Sequence, residues 1–490
     1  MSELIWRLRT ASRRPGARGG DLWWLLTVGG AGALILGYSL TVSLQGSLAF
    51  VLVLAVVTFH QYDRRWGIAA LFALWFLAPA LRRVLGLKTG YVDHDPLSLA
   101  PYLATAAIAA LELIDVHVPH RIRRVILIAA AGFTIGLPFG LVAAASSGVF
   151  AFLAYLAAMS GGVLGLAERA SVQDSTLRRV LLYGLPPIAA YAILQRVFPL
   201  PSWDRTWVLA TELLSVGNPD KGPIHVFGTL NHPGALAPLL GLSLLCYLTI
   251  RRVTKITIVG AALITIALQL TFVRGAWVAL ILAGIAHVVA SGGRSARIVF
   301  GALAVTAVAT VALSPVSHTA KDVIERFKTI KSSDTSVQER SATLSQTLPT
   351  AVAAPLGHGL GTAGEATKLK GQSELRAPDN GYLSLIYQVG PIGFVLVIGA
   401  LLYVFALAWD GARARAPGQE MRELLFAMLV YMFVWLYVGD GFYGVTGVIL
   451  WFICGQVLAN DYRLRSQAGS RLEPAPAVER PPTPVAGNLR

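Results

Sequence analysis

Charged residues are scarce in this chain, and acidic residues are the scarcest: 26 Asp and Glu stand against 41 Lys and Arg in 490 residues. Only 14% of the residues are charged, whereas soluble domains carry about a quarter. A water-soluble fold with 55% hydrophobic residues would expose large apolar patches and aggregate. The composition therefore predicts that lipid surrounds most of the chain.

Cysteine is nearly absent, and Cys246 and Cys454 both lie in apolar segments. We therefore expect neither a disulfide framework nor a zinc site. Glu112 is the only acidic residue well inside an apolar segment, and it lies near the inner end. Ion-coupled transporters usually place acids at mid-membrane, so this pattern argues against transport.

Apolar runs of about 17–25 residues, the length that crosses a ~30 Å hydrocarbon core as helix, recur along the chain. They do not alternate between polar and apolar residues, as the strands of a membrane barrel would. No A-x-A-like cleavage site follows the first run, so we interpret it as a retained helix. We predict an all-α polytopic membrane helix bundle with about 14 transmembrane helices. They are placed at 22–42, 46–59, 67–81, 97–114, 125–144, 148–166, 180–197, 234–250, 256–271, 275–290, 298–313, 381–408, 424–438 and 444–458.

The distribution of basic residues predicts which ends of these helices face the cytoplasm. If the N-terminus is cytoplasmic, 26 of the 41 Lys and Arg fall on the cytoplasmic side, as the positive-inside rule requires. Most of the others lie in one long external loop, which is exempt from the rule. Arg82, Arg83 and Lys88 are exceptions in a short loop. Both termini are therefore expected in the cytoplasm.

Five regions follow from this placement. Residues 1–21 form a basic cytoplasmic N-terminus, 22–313 hold helices 1–11, and 380–460 hold helices 12–14. Residues 314–379 form an extracytoplasmic cap with two helical patterns, the second of which runs through Val337, Leu344 and Leu348. The Pro-rich tail, 461–490, is predicted to be disordered and cytoplasmic.

Arg274 is the first candidate for chemistry. It stands between two apolar helices at the predicted outer face, where an arginine is costly unless it reaches water or an anion. It also begins a helix, where free N–H groups and a guanidinium together favour a phosphate. The alternative is an arginine that snorkels to lipid headgroups.

Arg340 and Asp379 are the other two main candidates. Arg340 lies on a predicted external helix beside Glu339, and a solvated surface arginine is the simpler interpretation. Asp379 immediately precedes a long helix, so N-capping alone explains it. Its carboxylate could instead accept a hydrogen bond from an attacking sugar hydroxyl. Nearby arginines would make it a weak base, which favours positioning over full proton abstraction.

Two polar segments carry weaker signals. The glycine-rich GHGLGTAG, 357–364, follows no strand, so it is a poor phosphate-binding fingerprint and is predicted to be a flexible turn. His358 within it could contact ligand. The segment HVFGTLNHPGALAPLL, 225–240, has two histidines but no third metal ligand nearby, and Asn231 or His232 is expected to cap the next helix. We expect no metal and no other cofactor.

Three segments together resemble the O-antigen ligase and polymerase (WaaL/Wzy) family of bacterial membrane glycosyltransferases. They are VFGTLNHPGALAPLL; LTFVRGAWVALIL; and SVQERSATL with APLGHGLGTAG and DNGYLSLIYQVGPIGFVL. The resemblance covers about residues 220–455 and implies a GT-C-like bundle with metal-independent glycosyl transfer at the outer face. The implied donor is a glycan on undecaprenyl pyrophosphate.

The resemblance also implies roles for particular residues. Arg274 and Arg340 match the arginines thought to hold the pyrophosphate, and with Asp379 they form the predicted catalytic set. Secondary candidates are Asn380, Tyr382, His232, Arg376 and His358.

One departure from the family pattern bears on the type of reaction. Ligases typically carry His-Asn where this chain has Asp379-Asn380, and the Asp-Asn form is more typical of polymerases. A polysaccharide polymerase is therefore the leading hypothesis. A ligase that uses lipid A–core or another acceptor, and a lipid-linked oligosaccharide flippase, are the alternatives. Expected partners are the lipid-linked glycan, membrane lipids and a chain-length regulator, but not nucleic acid.

Overall fold

The computed structural model describes residues 44–91, 95–115, 118–168, 175–211, 215–220, 222, 224–250, 253–293, 335–364, 366–367, 380–414 and 416–472. Every regular element in these ranges is helical, which confirms the predicted all-α class. The helices are α1 Leu44–Tyr62, α2 Arg64–Thr89, α3 Ala100–Asp115, α4 His120–Ile135, α5 Leu137–Ala167, α6 Thr176–Val197, α7 Ser202–Thr211, α8 Pro233–Tyr247, α9 Lys255–Leu270, α10 Arg274–Ala290, α11 Thr335–Ala353, α12 Gly381–Arg413, α13 Gln419–Val438 and α14 Gly444–Leu472.

The lengths and compositions of these helices fit a polytopic membrane protein. Within the described ranges, eight helical segments are long and apolar enough to cross a membrane, and α8, α9 and α10 are shorter apolar helices. The helices predicted at 22–42 and 298–313 lie outside the described residues.

Several boundaries differ from the sequence-based placement. The helix predicted at 67–81 continues to Thr89 as α2, so Arg82, Arg83 and Lys88 lie within a helix and not in a short loop. The break predicted between residues 144 and 148 occurs at Gly136, which precedes α5 and its second residue, Pro138, and only a kink at Ala144 remains near the predicted position. The last helix continues to Leu472, so residues 461–472 are helical rather than part of a disordered tail. Residues 473–490 lie outside the described part of the chain.

Glycines allow the central helices to pack backbone against backbone. A Cβ at Gly165 of α5 would overlap the carbonyl oxygen of Phe452 in α14, and a Cβ at Gly161 would overlap that of Val448. This Gly-x-x-x-Gly spacing places both glycines on one face of α5. Because membrane helices gain little from hydrophobic burial against each other, such close approach supplies much of their attraction.

One end of the bundle, here called the loop end, carries the described segments 198–211, 215–220, 222, 224–232, 271–274, 354–364, 366–367 and 439–443. A small apolar cluster on this end joins α7 to the following loop through Trp207, Val216 and Phe227. The predicted topology assigns the loop end to the extracytoplasmic side.

Side chains at the other end, here called the opposite end, satisfy local polar groups. Glu112 accepts a hydrogen bond from Arg64 Nε at 2.5 Å and lies 2.9 Å from His60 Nε2. Arg422 donates to four carbonyl oxygens around the end of α12. The one acidic residue deep in an apolar run is therefore part of a structural ion pair.

Candidate active site

Arg274 is the first residue of α10 and lies at the loop end. In the preceding turn Phe272 adopts φ 54°, the only positive φ of a non-glycine residue within the described ranges. Two basic side chains lie against its ring: the Arg196 guanidinium is 5.7 Å from the ring centroid and the His225 ring is 5.2 Å away. Guanidinium groups and helix N-termini both attract phosphate. This corner can therefore hold an anion.

The start of α10 lies against the turn that joins α13 to α14. A Cβ at Gly275 would lie 2.5 Å from Val438 Cγ2, so α10 begins in direct contact with the end of α13. The next residue, Gly439, accepts a hydrogen bond of 3.2 Å from the backbone N–H of Gly381, the first residue of α12. The fold therefore brings Arg274 and the start of α12 to the same turn, although they are distant in sequence.

Capping of α12 falls to Asn380 rather than to Asp379. The Asn380 Oδ1 accepts a hydrogen bond of 3.1 Å from the backbone N–H of Leu383, one turn into the helix. This corrects the capping explanation for Asp379. The same hydrogen bond gives Asn380 a structural role. Asp379 itself lies outside the described residues, so its function stays a prediction.

The predicted helix around Arg340 is present as α11, and α11 packs against α12. Arg340 therefore sits on a helix that packs against α12, whose start meets the α13–α14 turn, as the start of α10 does. Its side chain is outside the described part of the structure, and so is all of Arg376. The roles of both arginines remain predictions.

The remaining secondary candidates have structural partners. His232 caps α8, since its Nδ1 accepts a hydrogen bond of 2.8 Å from the backbone N–H of Gly234, which confirms the expected cap. The Tyr382 hydroxyl donates to the Phe433 carbonyl at 2.8 Å and so links α12 to α13. His358 stacks on Tyr387 with ring centroids 4.3 Å apart. Within the described ranges no group of three His, Cys, Asp or Glu could hold a metal ion.

The glycine-rich segment is inserted among helices and is not a flexible surface turn. Gly359 has φ 104°, and a Cβ there would overlap the backbone N of Gly140 in α5. Backbone N–H groups of the segment donate to Gln388 O, to Gln388 Oε1 and to Gly136 O at 2.9–3.0 Å. The glycines are needed because the segment passes where α4, α5 and the kink of α12 at Gly390 leave no room for side chains.

A buried arginine holds the 228–231 segment in place. Arg83 is 0% exposed, and its Nε donates to Asp204 Oδ1 at 2.7 Å. Its other nitrogens donate to Leu230 O at 2.7 Å, Asn231 Oδ1 at 2.8 Å and Gly228 O at 2.9 Å. The sequence signalled this arginine only as an exception to the positive-inside rule. Its acidic partner, Asp204, lies in α7 at the same end of the bundle, so the charge of this arginine is paired within the protein.

The Asp204 carboxylate is itself fully hydrogen-bonded. Tyr191 donates to its Oδ2 at 2.7 Å and Gln195 at 2.6 Å. Tyr91 joins this group through a hydrogen bond of 3.0 Å to the Arg83 carbonyl, and burial raises the pKa of Tyr91. The group formed by these five side chains fixes the loop next to the candidate anion site.

Asp440 is a candidate that the sequence reasoning missed. It lies in the α13–α14 turn, which meets the starts of α10 and α12, and its Oδ2 accepts a hydrogen bond of 3.2 Å from Ser384 Oγ. The signal in the sequence was an acidic residue between two glycines, in VGDGFYG, where two apolar runs meet. Arg196 was likewise overlooked, because its proximity to Phe272 depends on the fold.

Comparison with known families is consistent with this geometry. Residues 259–398 match the family model Wzy_C, described as O-antigen ligase. The matched stretch begins in α9 and ends in α12, so it includes Arg274, Arg340 and Asp379. A comparison with curated proteins gave no match. Members of this family are membrane glycosyltransferase-like enzymes. The match over residues 259–398, less than a third of the chain, supports the O-antigen ligase and polymerase family.

Proposed function

We propose that this protein polymerises oligosaccharide repeat units carried on undecaprenyl pyrophosphate, at the extracytoplasmic face of a bacterial inner membrane. The observation that carries the proposal is the meeting of distant motifs at the loop end. Arg274 begins α10 against the α13–α14 turn, and the same turn accepts a hydrogen bond from the first residue of α12. Residues from both ends of the matched stretch thus come to one turn, which supports the proposal.

The leaving group defines what the basic residues must do. When the glycosidic bond to the carrier breaks, negative charge develops on the pyrophosphate. Fixed cationic groups near that oxygen stabilise the transition state without first having to reorganise. Arg274, aided by the N-terminus of α10 and by Arg196 beside Phe272, fits this role. Arg340 on α11 is the second proposed pyrophosphate ligand.

Asp379 is the proposed partner of the acceptor hydroxyl. Because Asn380 caps α12, the carboxylate of Asp379 is not required for capping. A carboxylate that accepts a hydrogen bond from the hydroxyl orients its oxygen towards the anomeric carbon. The Asp379-Asn380 pair, in place of His-Asn, favours a polymerase. The second candidate is a ligase that transfers the finished glycan to another acceptor.

A flippase is less well supported by the polar groups inside the bundle. Glu112, the one acidic residue deep in an apolar run, is held by Arg64 and His60 at the opposite end. A separate chain-length regulator would be an expected partner of a polymerase, and lipids are its surroundings.

The experiment uses purified protein and lipid-linked repeat units in a buffer with a metal chelator. A ladder of products on a gel supports a polymerase, whereas a single shifted product that needs a separate acceptor supports a ligase. Arg274→Ala should reduce the rate about 10²–10³-fold, the usual cost of losing one transition-state donor. Arg205→Ala is the matched control, since Arg205 is an exposed arginine at the same end, paired with Asp220. Equal rates for both variants would remove the pyrophosphate assignment.

A further inference from the structure

Asp440 lies where four parts of the loop end meet. Its neighbour Gly439 accepts the hydrogen bond from the first residue of α12, and Val438 packs against the start of α10. The glycine-rich segment reaches the same place: a Cβ at Gly364 would lie 3.2 Å from Asp440 Oδ2 and 3.0 Å from the Tyr443 hydroxyl. The carboxylate is therefore adjacent to the proposed donor site without being part of the basic corner at Arg274.

A chain of buried polar groups orients this carboxylate. Ser384 donates to Asp440 Oδ2 at 3.2 Å, and Gln388, one turn further along α12, donates to Ser384 Oγ at 3.1 Å and to the Tyr155 hydroxyl at 3.0 Å. Ser384 and Gln388 are each 1% exposed, whereas Asp440 is only partly buried. Gln388 Oε1 in turn accepts the backbone N–H of Gly361 at 2.9 Å.

This arrangement resembles a prepared binding site more than a structural ion pair. Buried polar groups in a membrane protein are costly unless they are hydrogen-bonded, and here they are linked in series towards one partly buried carboxylate. The ring of Tyr443 lies next to it and packs edge-on against Tyr155, with centroids 5.8 Å apart. A carboxylate beside an aromatic ring suits a sugar, because hydroxyls donate to the carboxylate while the C–H face covers the ring.

We propose that Asp440 binds the acceptor sugar, with its carboxylate accepting hydrogen bonds from hydroxyl groups of the acceptor repeat unit. The inference rests on the proposed glycosyl transfer and extends it, since it assigns the acceptor subsite to the α13–α14 turn. Ser384 is a positioning residue for this carboxylate. Donor binding is left to the basic corner around Arg274.

The test separates acceptor binding from donor binding. With lipid-linked repeat unit saturating as donor, the concentration of a repeat unit on a short prenyl chain is varied as acceptor. Asp440→Asn, which keeps the volume and removes the charge, should raise the acceptor KM about tenfold or more, the cost of one charge-assisted hydrogen bond. The donor KM should change less than about twofold. Ser384→Ala should raise the acceptor KM by a smaller factor.

Asp220→Asn is the matched control, because Asp220 is an exposed carboxylate at the same end whose removal changes the charge equally. An unchanged acceptor KM in both Asp440→Asn and Ser384→Ala, or a lower kcat with unchanged KM, would overturn the inference. If Asp440→Asn does not fold, the acceptor KM of Ser384→Ala, which keeps the carboxylate, decides the test.

Direct binding of the free repeat-unit oligosaccharide distinguishes this inference from the proposed function. Wild-type protein that builds no product but binds the oligosaccharide, with affinity lost in Asp440→Asn, would contradict only the proposed reaction. Wild-type protein that builds product equally well with and without the Asp440 carboxylate would contradict only the acceptor site.

Discussion

Replacement of Arg83 by methionine is the sharpest test of how the loop end is held together. The change keeps an apolar stem of similar length and removes the guanidinium, which is fully buried and paired with Asp204 at 2.7 Å. It also leaves the carbonyl oxygens of Gly228 and Leu230 without this donor. The segment 228–231 loses its main attachment to α2.

The expected loss of stability in Arg83→Met depends on the hydrogen bonds that remain around Asp204. Breaking a buried ion pair from one side usually costs about 3–5 kcal/mol, because the other charge stays buried. Tyr191 and Gln195 still donate to the Asp204 carboxylate, which places the expected loss at the low end, about 3 kcal/mol. Arg205→Met is the matched control, and its exposed pair with Asp220 should contribute at most about 1 kcal/mol.

The assay can use the two native cysteines. Cys246 and Cys454 are both buried, so a maleimide dye reacts with them only when the protein opens. The midpoint of thermal unfolding in detergent should fall by several degrees for Arg83→Met and hardly at all for Arg205→Met. Similar midpoints for the two variants would refute the reasoning, because they would mean that the buried pair of Arg83 and Asp204 does not contribute to stability.

Two further substitutions test the packing of the bundle. Gly359→Ala should lower the free energy of unfolding by at least ~2 kcal/mol, because the residue has φ 104° and its new Cβ would overlap Gly140. The control is Gly399→Ala, in open space within α12, which should raise the free energy of unfolding by ~0.5–1 kcal/mol. The same dye assay measures both, and equal effects would contradict the inserted position of the glycine-rich segment. Arg422→Met should lower the free energy of unfolding by about 2–4 kcal/mol, because four hydrogen bonds to carbonyl oxygens are lost. The control is Arg413→Met, an exposed position, where the loss should be at most ~1 kcal/mol. Equal thermal midpoints for the two variants would contradict the role of Arg422 at the end of α12.

Local chemistry in the sequence was enough to predict most of the apolar helices, but not the short helix α7. Long apolar runs located α8, α9, α10 and α12 to within a few residues, because few other conformations satisfy a backbone in lipid. The α4–α5 break was misplaced because the strongest local signals at 144–148 produce a kink, whereas the chain break occurs at Gly136. There a carbonyl accepts a hydrogen bond from Leu360, which is remote in sequence.

The candidate site was only partly accessible from the sequence. Arg274 could be found because an arginine between two apolar runs is conspicuous in itself. The roles of Arg83 and Asp440 depend on partners far along the chain: Asp204 for one, Ser384 for the other. Such long-range pairs carry no local pattern, so only the fold reveals which polar residues are structural and which border the site.

Labelling of a single surface cysteine tests the central claim, that the loop end faces the outside of the membrane. Asp220→Cys introduces an exposed thiol at the loop end, while the native cysteines stay buried. A membrane-impermeant maleimide should label it in right-side-out vesicles without permeabilisation, and should label Glu420→Cys, near the opposite end, only after permeabilisation. The reverse pattern would place the basic corner at Arg274 in the cytoplasm and contradict the account.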